Sequence, residues 1–224
     1  MTFSIIARCA ETGMMGIAIS SSSPAVAARC AHARAGVGVV ATQNITDPSL
    51  GPKGLDLMAR GLSADAALAK LLDGYSNAPW RQIMLLDRNG LSARHSGEHT
   101  LGINNLAHGR DCAAGGNLLA NPEIPARMVE AFEASTGHLG DRLLGVMQAA
   151  LAAGGEAGPV HSAGMLIVRE VSWPVAELRV DWAEDDPIGE LDTLWRIYKP
   201  QLNDYVTRAL NPSGSPSYGV PGNE

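Results

Sequence analysis

The fold is decided by two apolar stretches at the amino terminus, Phe3-Ser4-Ile5-Ile6-Ala7 and Met15-Gly16-Ile17-Ala18-Ile19. Each stretch is short, rich in apolar residues and followed by turn-forming or polar residues, which is typical of a strand. The connection contains Glu11-Thr12-Gly13, and a glycine between two apolar runs is typical of a hairpin turn. We therefore predict that the chain begins with a β-hairpin.

Apolar patterning predicts the remaining elements. Strands are predicted at residues 36–43, 81–87, 91–95, 164–168 and 175–181. Helices are predicted at residues 52–60, 63–72, 123–135 and 139–153, with a long helix from about 188 to 210. Ser63 is a good helix N-cap, and Asn89-Gly90 is a strong hairpin signal. Residues 97–110 are predicted as a loop, and residues 25–35 as either a short helix or an irregular crossing.

The order of these elements indicates the fold class. Blocks of strands separated by pairs of helices differ from the strict alternation of a Rossmann pattern. They predict an α+β fold, a four-layer αββα sandwich of two antiparallel sheets with helices on both outer sides. A single mixed sheet is the alternative that the pattern leaves open. We expect one domain over residues 1–210 and a mobile tail over 211–224, because the tail is rich in Pro, Gly and Ser.

Composition and charge exclude several classes of protein. The chain of 224 residues carries a formal net charge of −6, and its 17 basic residues are scattered among 23 acidic ones. No basic face for a nucleic acid is therefore expected. The apolar runs are too short for a transmembrane helix, and the amino terminus lacks the pattern of a signal peptide. Cys9, Cys30 and Cys112 lie far apart in the sequence. We expect a cytoplasmic protein without membrane or nucleic-acid partners.

Thr2 is the first candidate for chemistry. A small residue after Met1 normally permits removal of the methionine, which would leave Thr2 with a free α-amine. The pKa of such an amine is about 7.7–8.0, close enough to neutrality for it to act as a base. A threonine hydroxyl beside its own amine is a recognised pairing of nucleophile and base. The alternative for Thr2 is a frayed chain terminus.

Gly115-Gly116-Asn117 is the second candidate. Cleavage of an amide requires hydrogen-bond donors where the oxyanion develops. A backbone N–H beside Gly116 and the side-chain amide of Asn117 could supply them, whereas the alternative is a tight turn before a helix. Gln43-Asn44, at the end of a predicted strand, is a similar polar pair and fits either a substrate contact or a turn cap.

The six histidines do not form a metal-binding pattern. His95 and His99 are four residues apart, but Gly97 between them disfavours the helix that would bring them together. The glycines at 36 and 38 lack the third glycine and the acidic partner of a dinucleotide-binding motif. We therefore expect neither a metal nor a cofactor.

Several short segments form a characteristic series along the chain: Thr2-Phe3-Ser4-Ile5, Ala7-Arg8, Thr12-Gly13, Gly16, Arg34-Ala35-Gly36-Val37-Gly38, Ala41-Thr42-Gln43, Pro48-Ser49-Leu50-Gly51-Pro52-Lys53-Gly54-Leu55, Gly61-Leu62-Ser63-Ala64, His95-Ser96-Gly97, Gly116-Asn117-Leu118-Leu119, Ser162-Ala163, Arg179-Val180-Asp181 and Pro187. Taken in order, these segments resemble the DUF1028 family of bacterial and archaeal proteins with an Ntn-hydrolase-like fold. They extend over most of the chain, from Thr2 to about Leu194. The chain departs from the family pattern at Cys9 and at residues 22–23, 156–161 and 182–184.

The resemblance implies the αββα sandwich and, with it, a nucleophile at the mature amino terminus, a position that Thr2 matches. It implies an amidohydrolase that cleaves an amide, cyclic imide or peptide-like bond in a small molecule. Asn117 would then stabilise the oxyanion, and Arg8 or Arg34 would hold a substrate carboxylate. The alternative is a non-catalytic small-molecule-binding or scaffold protein with the same fold. The predicted amphipathic carboxyl-terminal helix makes a homodimer our expectation.

Overall fold

The computed structural model of the chain describes residues 1–219. The strands are β1 Thr2–Arg8, β2 Met15–Ser21, β3 Ala31–Arg34, β4 Gly38–Gln43, β5 Gln82–Asp87, β6 Ser92–Ser96, β7 Asn105–Gly109, β8 Cys112–Asn117, β9 Ser162–Val168 and β10 Ala176–Val180. The helices are α1 Val26–Cys30, α2 Leu50–Ala59, α3 Ala64–Leu72, α4 Ile124–Ala134, α5 Leu139–Ala152, α6 Pro187–Tyr198 and α7 Leu202–Leu210.

These strands form two sheets in which every pairing is antiparallel. One sheet has six strands in the order β10-β9-β2-β1-β8-β7, and the other has four in the order β3-β4-β5-β6. The predicted hairpin of β1 and β2 lies at the centre of the six-stranded sheet. The prediction of an α+β protein with two antiparallel sheets is confirmed, and the single mixed sheet is excluded.

The alternation of side chains along β1 shows how the sheets are packed. Phe3, Ile5 and Ala7 belong to a cluster with buried residues of α4, α5 and α6. Ile6 points the other way and packs with buried residues of both sheets. Since successive strand residues face opposite sides, Thr2 and Ser4 share the face of Ile6 and look toward the four-stranded sheet. A separate cluster joins that sheet to α2 and α3.

Several local predictions hold in detail. Ser63 caps α3 and accepts a hydrogen bond from the backbone N–H of Ala66. The turn at Gly90, where φ is +84°, connects β5 to β6, as the Asn-Gly signal indicated. Residues 25–35, for which two alternatives were open, form α1 and β3.

Two predictions were wrong. Residues 97–110 are not all loop, because 105–109 form β7 at the edge of the six-stranded sheet. The long helix over 188–210 is broken, because α6 ends at Tyr198 and a 3₁₀ turn containing Pro200 precedes α7. Proline has no N–H for the helix ladder and its ring crowds the carbonyl four residues earlier, which explains the break.

The predicted mobile tail lies partly within the described residues. Pro212–Gly214 form a 3₁₀ helix, and the Arg208 guanidinium lies 4.0 Å from the centre of the Tyr218 ring. Residues 220–224 lie outside the described residues, so the mobility of the tail stays a prediction. Within residues 1–219, no helix is both long and apolar enough to cross a membrane.

Candidate functional site

Thr2 is the first residue of the central strand β1, and the residue is 6% exposed. Its direct partner across the sheet is Asn117, the last residue of β8. The two candidates from the sequence therefore lie side by side at neighbouring strand ends of the six-stranded sheet, on the side that faces the four-stranded sheet. Strand pairing brings Thr2 and Asn117 together, although 114 residues of chain separate them in the sequence.

The Thr2 hydroxyl lies in a cluster of hydroxyl groups. Its Oγ1 is 3.3 Å from the Oγ of Ser21, which in turn is 2.9 Å from the Oγ of Ser23. The hydroxyls of Thr2 and Ser21 both donate to the carbonyl of Met1. While Met1 is attached, the nitrogen of Thr2 is an amide that cannot act as a base, so only removal of Met1 would supply the amine.

A cavity of about 170 Å³ opens beside Thr2. It is lined by Met1, Thr2, Ser23, Val26, Arg29, Cys30, Asn44, Ile45, Thr46, Leu101 and Asn117. Arg29 lines this cavity, its Nη2 donates to the Oγ of Ser23, and its Nη1 donates to the backbone carbonyls of Pro24 and Ala25. Burial raises the pKa of the Cys30 thiol, so this thiol stays protonated at neutral pH and is a poor nucleophile. The hydroxyl of Thr2 is therefore the better candidate.

The backbone around this cavity is strained. Left-handed φ values occur at Ala25 (50°), Asn44 (58°), Ile45 (47°) and Leu118 (51°). Asn44 and Ile45 line the cavity, Ala25 begins the helix that supplies Arg29, and Leu118 follows Asn117. Such conformations are costly for residues with a β-carbon, above all for a β-branched one such as Ile45. Strain of this kind concentrates at functional sites, which supports a role for this cavity.

A buried network of hydrogen bonds, made mainly by side-chain amides, lies next to the site and joins one sheet to the other. Ser4 Oγ donates to Gln43 Oε1 at 2.8 Å, and Gln43 Nε2 donates to Gln82 Oε1 at 2.7 Å. The same Gln82 oxygen accepts from Asn117 Nδ2 at 3.2 Å, while Gln82 Nε2 donates to the Gly116 carbonyl at 3.0 Å. Asn117 is thereby held in one orientation by a residue of the opposite sheet. Paired groups of this kind rigidify a buried site.

A glycine at position 116 is required by the packing. A Cβ atom there would lie 2.5 Å from the Leu119 side chain and 3.0 Å from the Thr2 carbonyl. Gly116 therefore permits the close approach of β8 to Thr2, and its carbonyl is held by Gln82.

The chain is similar to the proteins of one known family. The model of a family of unknown function, DUF1028, matches residues 2–191. The chain belongs to the DUF1028 family. The crystal structure of a DUF1028 protein from Silicibacter pomeroyi is similar, with 29% sequence identity and a TM-score of 0.84, and the match covers 91% of this chain and 89% of that one. The resemblance inferred from the ordered segments is thus confirmed.

A second solved structure is far less similar. It is Anbu, an ancestral β-subunit from Yersinia bercovieri, with 11% identity and a TM-score of 0.39 over 96% of this chain and 99% of that chain. No curated protein matches the sequence.

Two of the predicted substrate contacts in this DUF1028 protein lie far from Thr2. Arg8 is at the other end of β1, roughly 20 Å away at about 3.3 Å per residue, and it pairs with Asp111 at 2.7 Å. Arg34 is at the end of β3 and pairs with Asp56 at 2.9 Å. The structure does not bring either guanidinium to the cavity. The two remaining candidates, Gln43 and Gly116, both bond to Gln82 in the amide network.

Other residues of the site were missed in the sequence. Ser21 could have been found, because the predicted hairpin, once its register is counted, places Ser21 opposite Thr2. Arg29 lies in the segment whose structure was left open, so no face could be assigned to it. Asn44 follows Gln43 at the predicted strand end and was weighed with it, so only its place in the cavity lining is new. Glu156 packs beside the start of β1 only because a distant loop returns there.

Proposed function

We propose that this DUF1028 protein is an Ntn-type amidohydrolase that uses Thr2 as its nucleophile once Met1 has been removed. The observation that carries the proposal is the position of Thr2. It stands at the end of a central strand, beside a cavity and next to the amide of Asn117. The reaction would be cleavage of an amide, cyclic imide or peptide-like bond in a small molecule.

The packing of the two sheets supports the Ntn-hydrolase-like fold that this function requires. The six-stranded sheet packs on α4, α5 and α6, the four-stranded sheet packs on α2 and α3, and a third apolar cluster contains residues of both sheets. We propose that these layers form the αββα sandwich, in which the start of a central strand carries the nucleophile.

The mechanism would proceed by attack of Thr2 Oγ1 on the substrate carbonyl. The proton of the hydroxyl would pass to the free amine of Thr2 and from there to the departing nitrogen, leaving an acyl-enzyme that water hydrolyses. The amide of Asn117 would donate to the oxyanion. Because Gln82 already fixes this amide, little reorientation would be needed during the reaction, which is the condition for effective electrostatic stabilisation.

The cavity favours a small anionic substrate. A guanidinium binds a carboxylate more strongly than a neutral group, and Arg29 contributes one to the lining. Arg29 therefore takes the role that the sequence suggested for Arg8 or Arg34. We expect Arg29→Gln to raise the KM of a carboxylated amide on the order of tenfold while leaving that of its neutral analogue unchanged. Arg127→Gln, at an exposed ion pair on α4, is the matched control.

A non-catalytic binding protein is the second candidate, because a cavity lined by Thr2, Asn44 and Asn117 can hold a small molecule without reacting with it. A protein that retains Met1 in its own host would keep the cavity as a binding site only.

The experiment that separates these functions begins with the intact mass of the protein purified from its own host. We expect a mass without Met1. Turnover of a library of small amides by the processed protein should then be abolished by Thr2→Ala and partly retained by Thr2→Ser, which keeps a hydroxyl. Retention of Met1 in all molecules, or unchanged turnover by Thr2→Ala, would remove Thr2 from the mechanism.

A further inference from the structure

Glu156 lies in a loop that runs beside the first residues of β1. Leu119, just after β8, forms a β-bridge with Glu156. A Cβ atom at Gly158 would lie 3.3 Å from Met1 Cε, and one at Gly155 would lie 4.0 Å from the ring of Phe3. The loop that carries Glu156 therefore runs close to Met1 and Phe3, the two neighbours of Thr2.

The carboxylate of Glu156 is buried and only half satisfied. The residue is 5% exposed, and its Oε2 accepts a hydrogen bond from the backbone N–H of Ser22 at 3.2 Å. Its Oε1 is buried and has no hydrogen-bond partner among the described residues. A buried polar atom without a partner is costly, so its presence calls for an explanation.

The charges around Glu156 point to a cation as the missing partner. Burial raises the pKa of Glu156 to about 7, and the amino-terminal ammonium is the charged group that opposes this rise. The same ammonium opposes in part the rise that burial produces in the pKa of Cys30, which lines the cavity from α1 together with Arg29. His161, at the entry to β9, directs its Nδ1 to the Ala183 carbonyl and stacks its ring on Trp182.

We propose that Glu156 is the positioning residue for the α-amine of Thr2, an inference that rests on the proposed function. After removal of Met1, the amine of Thr2 becomes the chain terminus beside this loop, and the unpartnered Oε1 accepts a hydrogen bond from it. The carboxylate then has both of its oxygens paired, one with the Ser22 N–H and one with the amine.

The chemical role follows from the proton balance of the attack. When Thr2 Oγ1 bonds to the carbonyl carbon, its proton moves to the amine, which becomes an ammonium. A neighbouring carboxylate stabilises that positive charge and holds the amine in place, without itself taking up the proton. This is the part that a third group plays for the base in other nucleophile–base pairs.

The test measures the pKa of the Thr2 amine directly, so that no substrate is needed. Full-length protein is treated with methionine aminopeptidase to expose Thr2. The rate of reaction of the terminal amine with an acylating reagent is then followed against pH by mass spectrometry of the amino-terminal peptide. We expect Glu156→Gln, which keeps an oxygen for the Ser22 N–H, to lower the pKa of the amine by about one unit. Glu177→Gln, at an exposed residue of β10, should leave it unchanged.

A second variant keeps the test decisive if Glu156→Gln does not fold. Glu156→Asp retains the charge but withdraws it by one methylene, so we expect the pKa of the amine to fall below that of the parent. An amine pKa that is the same in parent and variant, even with a lower Tm, would overturn the proposal and leave Glu156 as a cap for Ser22. Turnover by Thr2→Ala decides the proposed function separately, because the amine pKa does not depend on catalysis.

Discussion

Thr2 and Asn117 are direct cross-strand partners at the ends of β1 and β8, and the amide of Asn117 is held by Gln82 of the other sheet. The nucleophile candidate and the oxyanion candidate are thus fixed to each other by strand pairing. Their common position depends on both sheets, because one sheet sets the register and the other sets the direction of the amide.

The first prediction concerns Asn117. Asn117→Ala removes the donor proposed for the oxyanion, so kcat should fall on the order of 10²–10³-fold, the usual effect of losing one such donor. The measurement is turnover of whichever amide the processed protein cleaves. Asn105→Ala is the control, because Asn105 is exposed on β7 and its side-chain amide donates to the Pro122 carbonyl. A loss below about threefold would assign Asn117 to the geometry of the β1–β8 pairing.

The second prediction concerns the network that crosses the sheets. Gln82→Leu keeps the volume but leaves the Gly116 carbonyl and the Gln43 amide without their partner. Each buried group that finds no replacement costs about 1–3 kcal/mol. Urea unfolding should show a lower midpoint at an unchanged slope. Gln148→Leu, at an exposed residue of α5, is the control. Equal stabilities for the two variants would mean that the network does not hold the sheets together.

The third prediction uses two glycines of the same helix. In α5, a Cβ at Gly140 would lie 2.3 Å from the ring of Trp195, whereas a Cβ at Gly145 would meet nothing within 4 Å. Gly140→Ala should therefore destabilise the protein by about 1–3 kcal/mol through overpacking. Gly145→Ala should stabilise it by about 0.5–1 kcal/mol, because alanine favours the helix. Thermal unfolding measures both, and shifts of the same sign would contradict this account of the α5–α6 contact.

The fourth prediction concerns pH and the chain that retains Met1. The pKa of Glu156 is raised from 4.5 to about 7 in the folded protein, mainly by burial. The unfolded chain therefore loses this proton at lower pH than the folded one, and the folded state loses stability as the pH rises from about 4.5 to 7. The contribution of this residue is on the order of 3 kcal/mol.

The measurement for this fourth prediction is the free energy of unfolding at pH 5 and pH 8 for the parent and for Glu156→Gln, which has no proton to lose. We expect the stability of the parent relative to the variant to decline over this interval. A constant difference at the two pH values would show that the carboxyl group titrates normally.

The accuracy of the sequence predictions depended on how local the signal was. Ser63 and the glycine at position 90 act through the neighbouring backbone, so their effects could be predicted from a few residues. The strand at 105–109 was missed because its sequence is mixed and only pairing with β8 makes it a strand. The break of the last helix could have been seen, since Pro200 lies within the predicted span.

From the sequence one could predict the α+β class, the opening hairpin and the family, and could select Thr2 and Asn117 as candidates. These conclusions follow from apolar periodicity, turn residues and the order of short segments, all of which are readable along the chain. The tertiary structure alone decided which charged residues accompany Thr2. It brings Arg29 and Glu156 to the site and leaves Arg8 at the far end of β1, because long-range strand pairing and loop packing set those distances. The number of residues between two positions in the sequence does not predict these distances.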